Sequence, residues 1–449
     1  MLDRYNITMG FYEPALFRLH TRGNGKLRDM KNWSVSQKST FLHEYIHFLQ
    51  DITTIQGFNN FYILGEYIRY VTQIVKQSAT KEIKVPINPF SANQNVDQNW
   101  IARCCTMGTD TPVKDVISYS SKHILDLVDY NNGQKIPLNV VSLNCVDERG
   151  YKVEVKLGTL HIMEGMAKLI QELVYPTQGR TSPYNPYYIA SDVAEMIIPG
   201  IKSAPYTLIA LLDFALQTTN PGLTYVGYLE AKVREGYNAQ SLTPEIIYAD
   251  LKNNKMNISS LGQLNFHEAY TAFQGGAEDV MKEYLGGVWY WKNIEIWYKN
   301  ILDRSRKLRL DNPSFFQSLI EGGDITNNRM FMDLQDIFGT SLTTNSNNFF
   351  DFSSPKNVFI TKKEVINVYA MMQIHRVFLS NGTFTCPLRK FCQNRRCGFF
   401  KQKVDKQCVK QPWKRMRGWN RCYFNIWWKF KGFGDVHIMT MDETNDKDG

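Results

Sequence analysis

Among the 449 residues, the pattern best suited to chemistry is FLHEYIHFLQ, in which His43, Glu44 and His47 form an HExxH run. Residues four apart lie one turn apart on one face of a helix, so both imidazoles reach a single metal ion while Glu44 projects beside them. Zinc suits such a nitrogen pair; it lowers the pKa of a water toward neutrality, and the adjacent carboxylate takes that water's proton and passes it to a leaving group. With 8 His and 19 Glu in the chain, chance placement yields this run about 0.006 times. The bland alternative is a pair of buried histidines that only satisfy hydrogen bonds.

A catalytic zinc takes three protein ligands and keeps one position open, so a third ligand is needed. The metzincin extension asks for glycine at position 50 and histidine at position 53, where this chain has Gln50 and Thr53. The aspzincin GTxDxxYG run is absent as well.

Downstream, Glu164-Gly165-Met166-Ala167 falls on a second expected helix. Together with the HExxH run, this arrangement resembles the gluzincin zinc metallopeptidases over roughly residues 34–175. The resemblance implies a zincin-like catalytic domain that cleaves peptide bonds, with zinc held by His43, His47 and Glu164 and with Glu44 as general base and then acid. His161, one turn before Glu164, stays open as the alternative ligand. The chain departs from the thermolysin-type ExxxD pattern, because Lys168 stands where the aspartate would be. The residue that orients a ligand histidine is therefore unassigned, with Asp51 and Asp213 as candidates. The family also stabilises its oxyanion with a Tyr or His, and Tyr184, Tyr187 and Tyr188 are not distinguished by sequence. Its sites hold substrate backbone along an exposed strand; Tyr151–Leu157 could be that strand or a plain structural hairpin.

The elements that must position these residues follow from periodicity. Leu42, Tyr45, Ile46, Leu49 and Ile52 recur at helical spacing after an N-cap at Ser34 or Ser36, with Gly57 as the stop, which puts the motif at the edge of a core. A second helix is expected over 58–77. Residues 140–157 read as a hairpin turning at Asp147–Gly150, with Tyr151, Val153, Val155 and Leu157 alternating against polar residues. Further helices are expected over 159–175, 188–198, 206–217 and 362–378, with a helix-rich stretch to about residue 312. The polar run Thr340–Asn348 reads as a loop or linker.

The net charge of +9 is concentrated in one place: residues 386–433 carry 14 Lys and Arg against the single acid Asp405, leaving the rest slightly acidic. The same segment holds Cys386, Cys392, Cys397, Cys408 and Cys422. These five suggest a second metal, zinc or an iron–sulfur cluster, to which His375 could contribute; free buried thiols are the alternative. Basic residues interleaved with Phe399, Phe400, Trp413, Trp419, Trp427 and Trp428 could meet nucleic acid by phosphate contact and base stacking, or the aromatics could form a small core beneath a charged face that docks an acidic protein.

Composition, at 43% hydrophobic and 21% charged, excludes a disordered chain. The most apolar stretch, Ala204–Leu212, is too short to span a bilayer, so no membrane partner is expected. The first residues lack the apolar run of a secretion signal, and a cytoplasmic location is the expectation. The expected fold is α+β, predominantly helical, with a zincin-like metallohydrolase domain over 1–222 and a helical domain or extension over 223–380. A basic Cys- and aromatic-rich module over 381–434 and an acidic tail over 435–449 complete it. The expected function is a zinc-dependent metallohydrolase, a peptidase with a protein or peptide substrate. The alternative is a non-enzymatic nucleic-acid- or protein-binding protein with structural metal sites.

Overall fold

The computed structural model describes residues 10–13, 18–21, 25–87, 94–128, 133–176, 182–258, 262–285, 292–345, 350–393, 404–416 and 422–439. In chain order the first elements are strands β1 (Gly10–Glu13) and β2 (Arg18–Thr21), helices α1 (Val35–Thr53) and α2 (Ile55–Gln77), strand β3 (Glu82–Lys84) and helix α3 (Gln94–Thr106). Strands β4 (Asp115–Val128), β5 (Lys135–Val146) and β6 (Lys152–Leu157) lead into helices α4 (Thr159–Val174), α5 (Tyr184–Tyr187), α6 (Ile189–Ile197), α7 (Pro205–Leu216), α8 (Pro221–Arg234) and α9 (Pro244–Asn253). Next come the short strands β7 (Met256–Ile258) and β8 (Gly262–Leu264), helices α10 (Phe266–Leu285), α11 (Lys292–Asp311), α12 (Phe315–Glu321) and α13 (Arg329–Phe338), and strands β9 (Leu342–Thr344) and β10 (Phe350–Asp351). The chain ends in helices α14 (Lys362–Ile374), α15 (Arg389–Gln393), α16 (Gln407–Lys410) and α17 (Tyr423–Phe430) and strand β11 (His437–Met439). The architecture is α+β and predominantly helical. Among the described residues, no helix is long and apolar enough to cross a membrane.

Helix α1 starts where its sequence provides a capping box. The Ser34 hydroxyl accepts from the Gln37 amide at 3.2 Å, and the Gln37 carboxamide oxygen accepts from the Ser34 amide at 3.0 Å. The helix ends at Thr53, because Thr54 turns extended and its hydroxyl caps α2 by accepting from Gly57 N–H. Gly57 is therefore not the stop that spacing suggested but a member of the first turn of α2. A Cβ there would sit 2.0 Å from the Asp51 carbonyl oxygen, so only glycine lets α2 fold back this closely on α1.

Every residue of α1 from Lys38 to Thr53 is buried, so the helix runs through the core and not along its edge as expected. It is covered on one side by β1 and β2: Tyr12 and Leu19 are buried, and the Tyr12 hydroxyl donates to Asp51 Oδ2 at 2.9 Å. The run over 340–345 is also buried, and this overturns the loop reading of Thr340–Asn348. Strand β9 joins β2 in parallel, with Leu19 opposite Thr343, inside a four-stranded sheet ordered β1-β2-β9-β10. Its threonines tolerate burial because they are bonded: the Thr344 hydroxyl donates to the Leu19 carbonyl at 3.2 Å. Residues 346–349 lie outside the described residues.

The expected hairpin is present as β5 and β6, and its turn is fixed by Asp147, whose Oδ1 accepts from the Arg149 and Tyr151 amides while Gly150 takes φ +89°. Strand β4 extends it to three antiparallel strands, a partner that the sequence pattern did not reveal. Gly158 then opens α4 in close approach to another segment, since a Cβ there would fall 2.2 Å from the Thr106 carbonyl oxygen.

At the far end α17 lies on α14, where Trp427 Nε1 donates to Asn367 Oδ1 at 3.1 Å. Phe378 stacks on Trp428 with ring centroids 5.5 Å apart, and Phe433 meets both edge-on. Strand β11 pairs in parallel with β3, Ile438 opposite Ile83.

Candidate metal centre

Helices α1 and α4 run antiparallel, and two side chains set their register. Gln171 Nε2 donates to the Ser39 carbonyl at 3.1 Å near the start of α1, and Gln50 Nε2 donates to the Met163 carbonyl at 3.1 Å near its end. Between these ties, Glu164 meets the two histidines. His43 Nε2 lies 3.0 Å from Glu164 Oε2, His47 Nε2 lies 3.2 Å from the same oxygen, and the two nitrogens are 3.2 Å apart. Among the described residues, these three form the one group of three or more ligand-type side chains whose donor atoms all lie within 4.8 Å of one another.

These contacts are ion pairs and hydrogen bonds of the chain itself, and their spacing would also suit zinc. Bonds of about 2.0–2.1 Å in a tetrahedron separate neighbouring ligand atoms by about 3.3 Å, close to the three distances here. The donor set, two imidazole nitrogens and one carboxylate oxygen, is also that of a catalytic zinc that keeps a fourth position open.

The two histidines and Glu164 also pair with one another by charge. Burial would raise Glu164, but the facing histidines, His47 foremost, outweigh it and hold this carboxyl well below the usual carboxylate range. Burial would likewise lower His47, yet Glu164 overcomes it and carries the imidazole up to about 9. His43 is lowered, chiefly by burial. Glu44, itself buried, is pushed up to about 8 by desolvation, against the pull of His47.

Of the remaining expected residues, some join this centre and others do not. His161 is not in the ligand group; its Nδ1 accepts from the Gly158 amide at 3.2 Å and so caps α4. Asp51 is engaged by Tyr12, and Asp213 pairs with Arg309 Nη1 at 2.6 Å in a fully buried bridge, so the structure places neither of them on a ligand histidine. The three tyrosines separate cleanly. The Tyr184 hydroxyl bonds Asp192 and the Tyr188 hydroxyl donates to Glu172 Oε1 at 2.7 Å, whereas the Tyr187 ring stands edge-on to His43 at 5.8 Å. Burial and then the charges of Glu164 and Glu44 push the Tyr187 hydroxyl up, so it keeps its proton and stays a donor. Lys168 reaches Glu172 Oε1 at 3.4 Å and lies 5.8 Å from the Tyr187 ring centre.

Two further expectations change. The end of β6 nearest α4 is not a free edge, because the Thr109 amide donates to the Lys156 carbonyl at 3.0 Å and the Lys156 amide donates to the Thr109 hydroxyl at 3.2 Å. Trp413, Trp427 and Trp428 are buried and cannot stack on bases, while Phe399, Phe400 and Trp419 lie outside the described residues.

Cys386, Cys392, Cys408 and Cys422 form no disulfide among the described residues, and Cys397 lies outside them. The Cys408 sulfur accepts from Arg415 at 3.4 Å and the Cys422 sulfur from the Asn425 amide at 3.4 Å. His375 sits against Thr72 and Phe433.

Sequence reasoning missed Gln50, whose Oε1 lies 2.8 Å from His47 Nδ1. Its signal was its position three residues after His47 on the same helix face. Comparison of the chain with protein-family models, with curated proteins and with solved structures gave no match.

Proposed function

We propose that this protein is a zinc-dependent metallohydrolase of gluzincin type, a peptidase acting on a protein or peptide substrate. The observation that carries the reading is the convergence of His43, His47 and Glu164, drawn from two helices far apart in sequence, at the separations that zinc ligands require. Bound there, zinc would polarise the substrate carbonyl and acidify a water. The chain's own residues supply the rest. Glu44 takes the proton of the attacking water and returns it to the departing nitrogen. Tyr187 offers its hydroxyl to the oxyanion that forms on the carbonyl.

The test measures zinc by elemental mass spectrometry in the wild-type chain and in His47→Ala, beside cleavage of a mixed peptide library read by mass spectrometry. One zinc equivalent lost in His47→Ala, with cleavage abolished by a chelator and restored by zinc, supports the reading. Zinc content unchanged by His47→Ala overturns it. A protein that instead held nucleic acid through its basic segment would show binding that falls steeply with salt and is indifferent to the chelator.

A further inference from the structure

We infer that Gln50 is the positioning residue of the metal centre: its carboxamide oxygen selects which nitrogen of His47 faces the ligand cluster. The inference deepens the zinc reading above and rests on it.

The reasoning starts from the Met163 carbonyl, which can only accept a hydrogen bond. The amide nitrogen of Gln50 must therefore face it, at 3.1 Å, and the carboxamide oxygen must face His47. That oxygen lies 2.8 Å from His47 Nδ1, which must then carry a proton and donate it. With Nδ1 committed, Nε2 is the nitrogen that meets Glu164 and His43, and it is the one that would give up its proton to offer a lone pair to a metal. One side chain thus fixes a tautomer, a ring orientation and the approach of two helices.

Nothing else nearby does this. Lys168, where the thermolysin-type pattern has an aspartate, is a cation engaged with Glu172 and cannot accept. Asp51 and Asp213 are taken by Tyr12 and Arg309. His43 Nδ1 is buried without a hydrogen-bond partner among the described residues, so of the two histidines only His47 is held by a polar tether. The tether is also neutral. A carboxylate in its place would draw the Nδ1 proton more strongly and make the imidazole a better donor to a metal.

The experiment measures zinc affinity of the full chain by competition with a chromophoric chelator, for wild type, Gln50→Met and Gln50→Glu, with thermal unfolding of each metal-free protein alongside. Methionine keeps the volume and removes both hydrogen bonds; glutamate keeps the acceptor and loses the donor. The expected result is affinity about 10–100-fold weaker in Gln50→Met and equal to or tighter than wild type in Gln50→Glu. Unchanged affinity in Gln50→Met, or loss in both variants while the metal-free proteins unfold like wild type, overturns the role of Gln50 and leaves the zinc site standing. If wild type holds no zinc that His47→Ala removes, the site and the inference fall together.

Discussion

At the scale of single residues, the centre divides its labour among groups that share a buried space. Glu44→Gln should retain one zinc equivalent and lose hydrolysis by about 10²–10⁴-fold, because the amide cannot relay a proton; metal content and turnover measured on one preparation check both halves. Tyr187→Phe should lower kcat by about 10²–10³-fold with KM little changed, if its hydroxyl acts only on the developing oxyanion. Tyr184→Phe and Tyr188→Phe serve as controls, since their hydroxyls are occupied by Asp192 and Glu172, and loss of kcat in either would refute the assignment. The three side chains that converge were legible as candidate ligands in the sequence, because i, i+4 spacing and the EGxA context are local patterns. Gln50 and Tyr187 were not, because their roles depend on which neighbours are already engaged, and only folded geometry decides that.

At the scale of elements, α1 is the axis on which the centre depends, and its C-terminal turn is held by Arg309 of α11. Arg309 Nε donates to the Thr53 carbonyl at 3.0 Å and Nη2 to the Thr53 hydroxyl at 3.1 Å, while Nη1 pairs with Asp213. Both charges are fully buried. Arg309→Ala should therefore cost about 3–5 kcal/mol, since it strands the Asp213 carboxylate in an apolar core. Denaturant titration checks this, and the double variant Arg309→Met with Asp213→Asn should recover much of the loss; no recovery would mean that packing, not the stranded charge, carries the cost. Helix existence was readable from apolar spacing at α1, α2 and α4. The burial of β9 was not, because a Leu-Thr-Thr run looks polar until its hydroxyls and backbone find partners on β2. The complete enclosure of α1 was equally hidden, since periodicity marks one apolar face and the polar side chains of the other face are satisfied by distant residues such as Asp324, Met163 and Tyr12.

At the scale of the whole molecule, two buried histidines link folding to acidity. Burial drives His161 down to about 4, and His375 well below its ordinary value, so both are neutral in the folded chain and protonate more readily when unfolded. Their contribution is fully present above the unfolded value of about 6.5 and is lost as pH falls below it, for His161 through the interval down to about 4. These two histidines should accordingly make the melting temperature fall as pH drops below 6.5, by less in His161→Gln, which can still cap the Gly158 amide. A His161→Gln profile superimposable on wild type would exclude that contribution. Truncation before Ser380 should destabilise the remainder, because it strips Trp428 and Phe433 from Phe378 and removes β11 from β3; a melting curve unaltered by the cut would show that these contacts carry no weight. The charge asymmetry of this segment was plain in the sequence, but the burial of its tryptophans was not, since alternating basic and aromatic residues describe a core and a binding face equally well. The pairing of β2 with β9 has a consequence for synthesis. His43, His47 and Glu164 leave the ribosome before Leu342–Thr344, which follow Glu164 on the order of 10–30 s later at the usual rate of translation, so the sheet against α1 gains β9 late. Until then the nascent chain carries the three candidate ligands beside a sheet that still lacks β9.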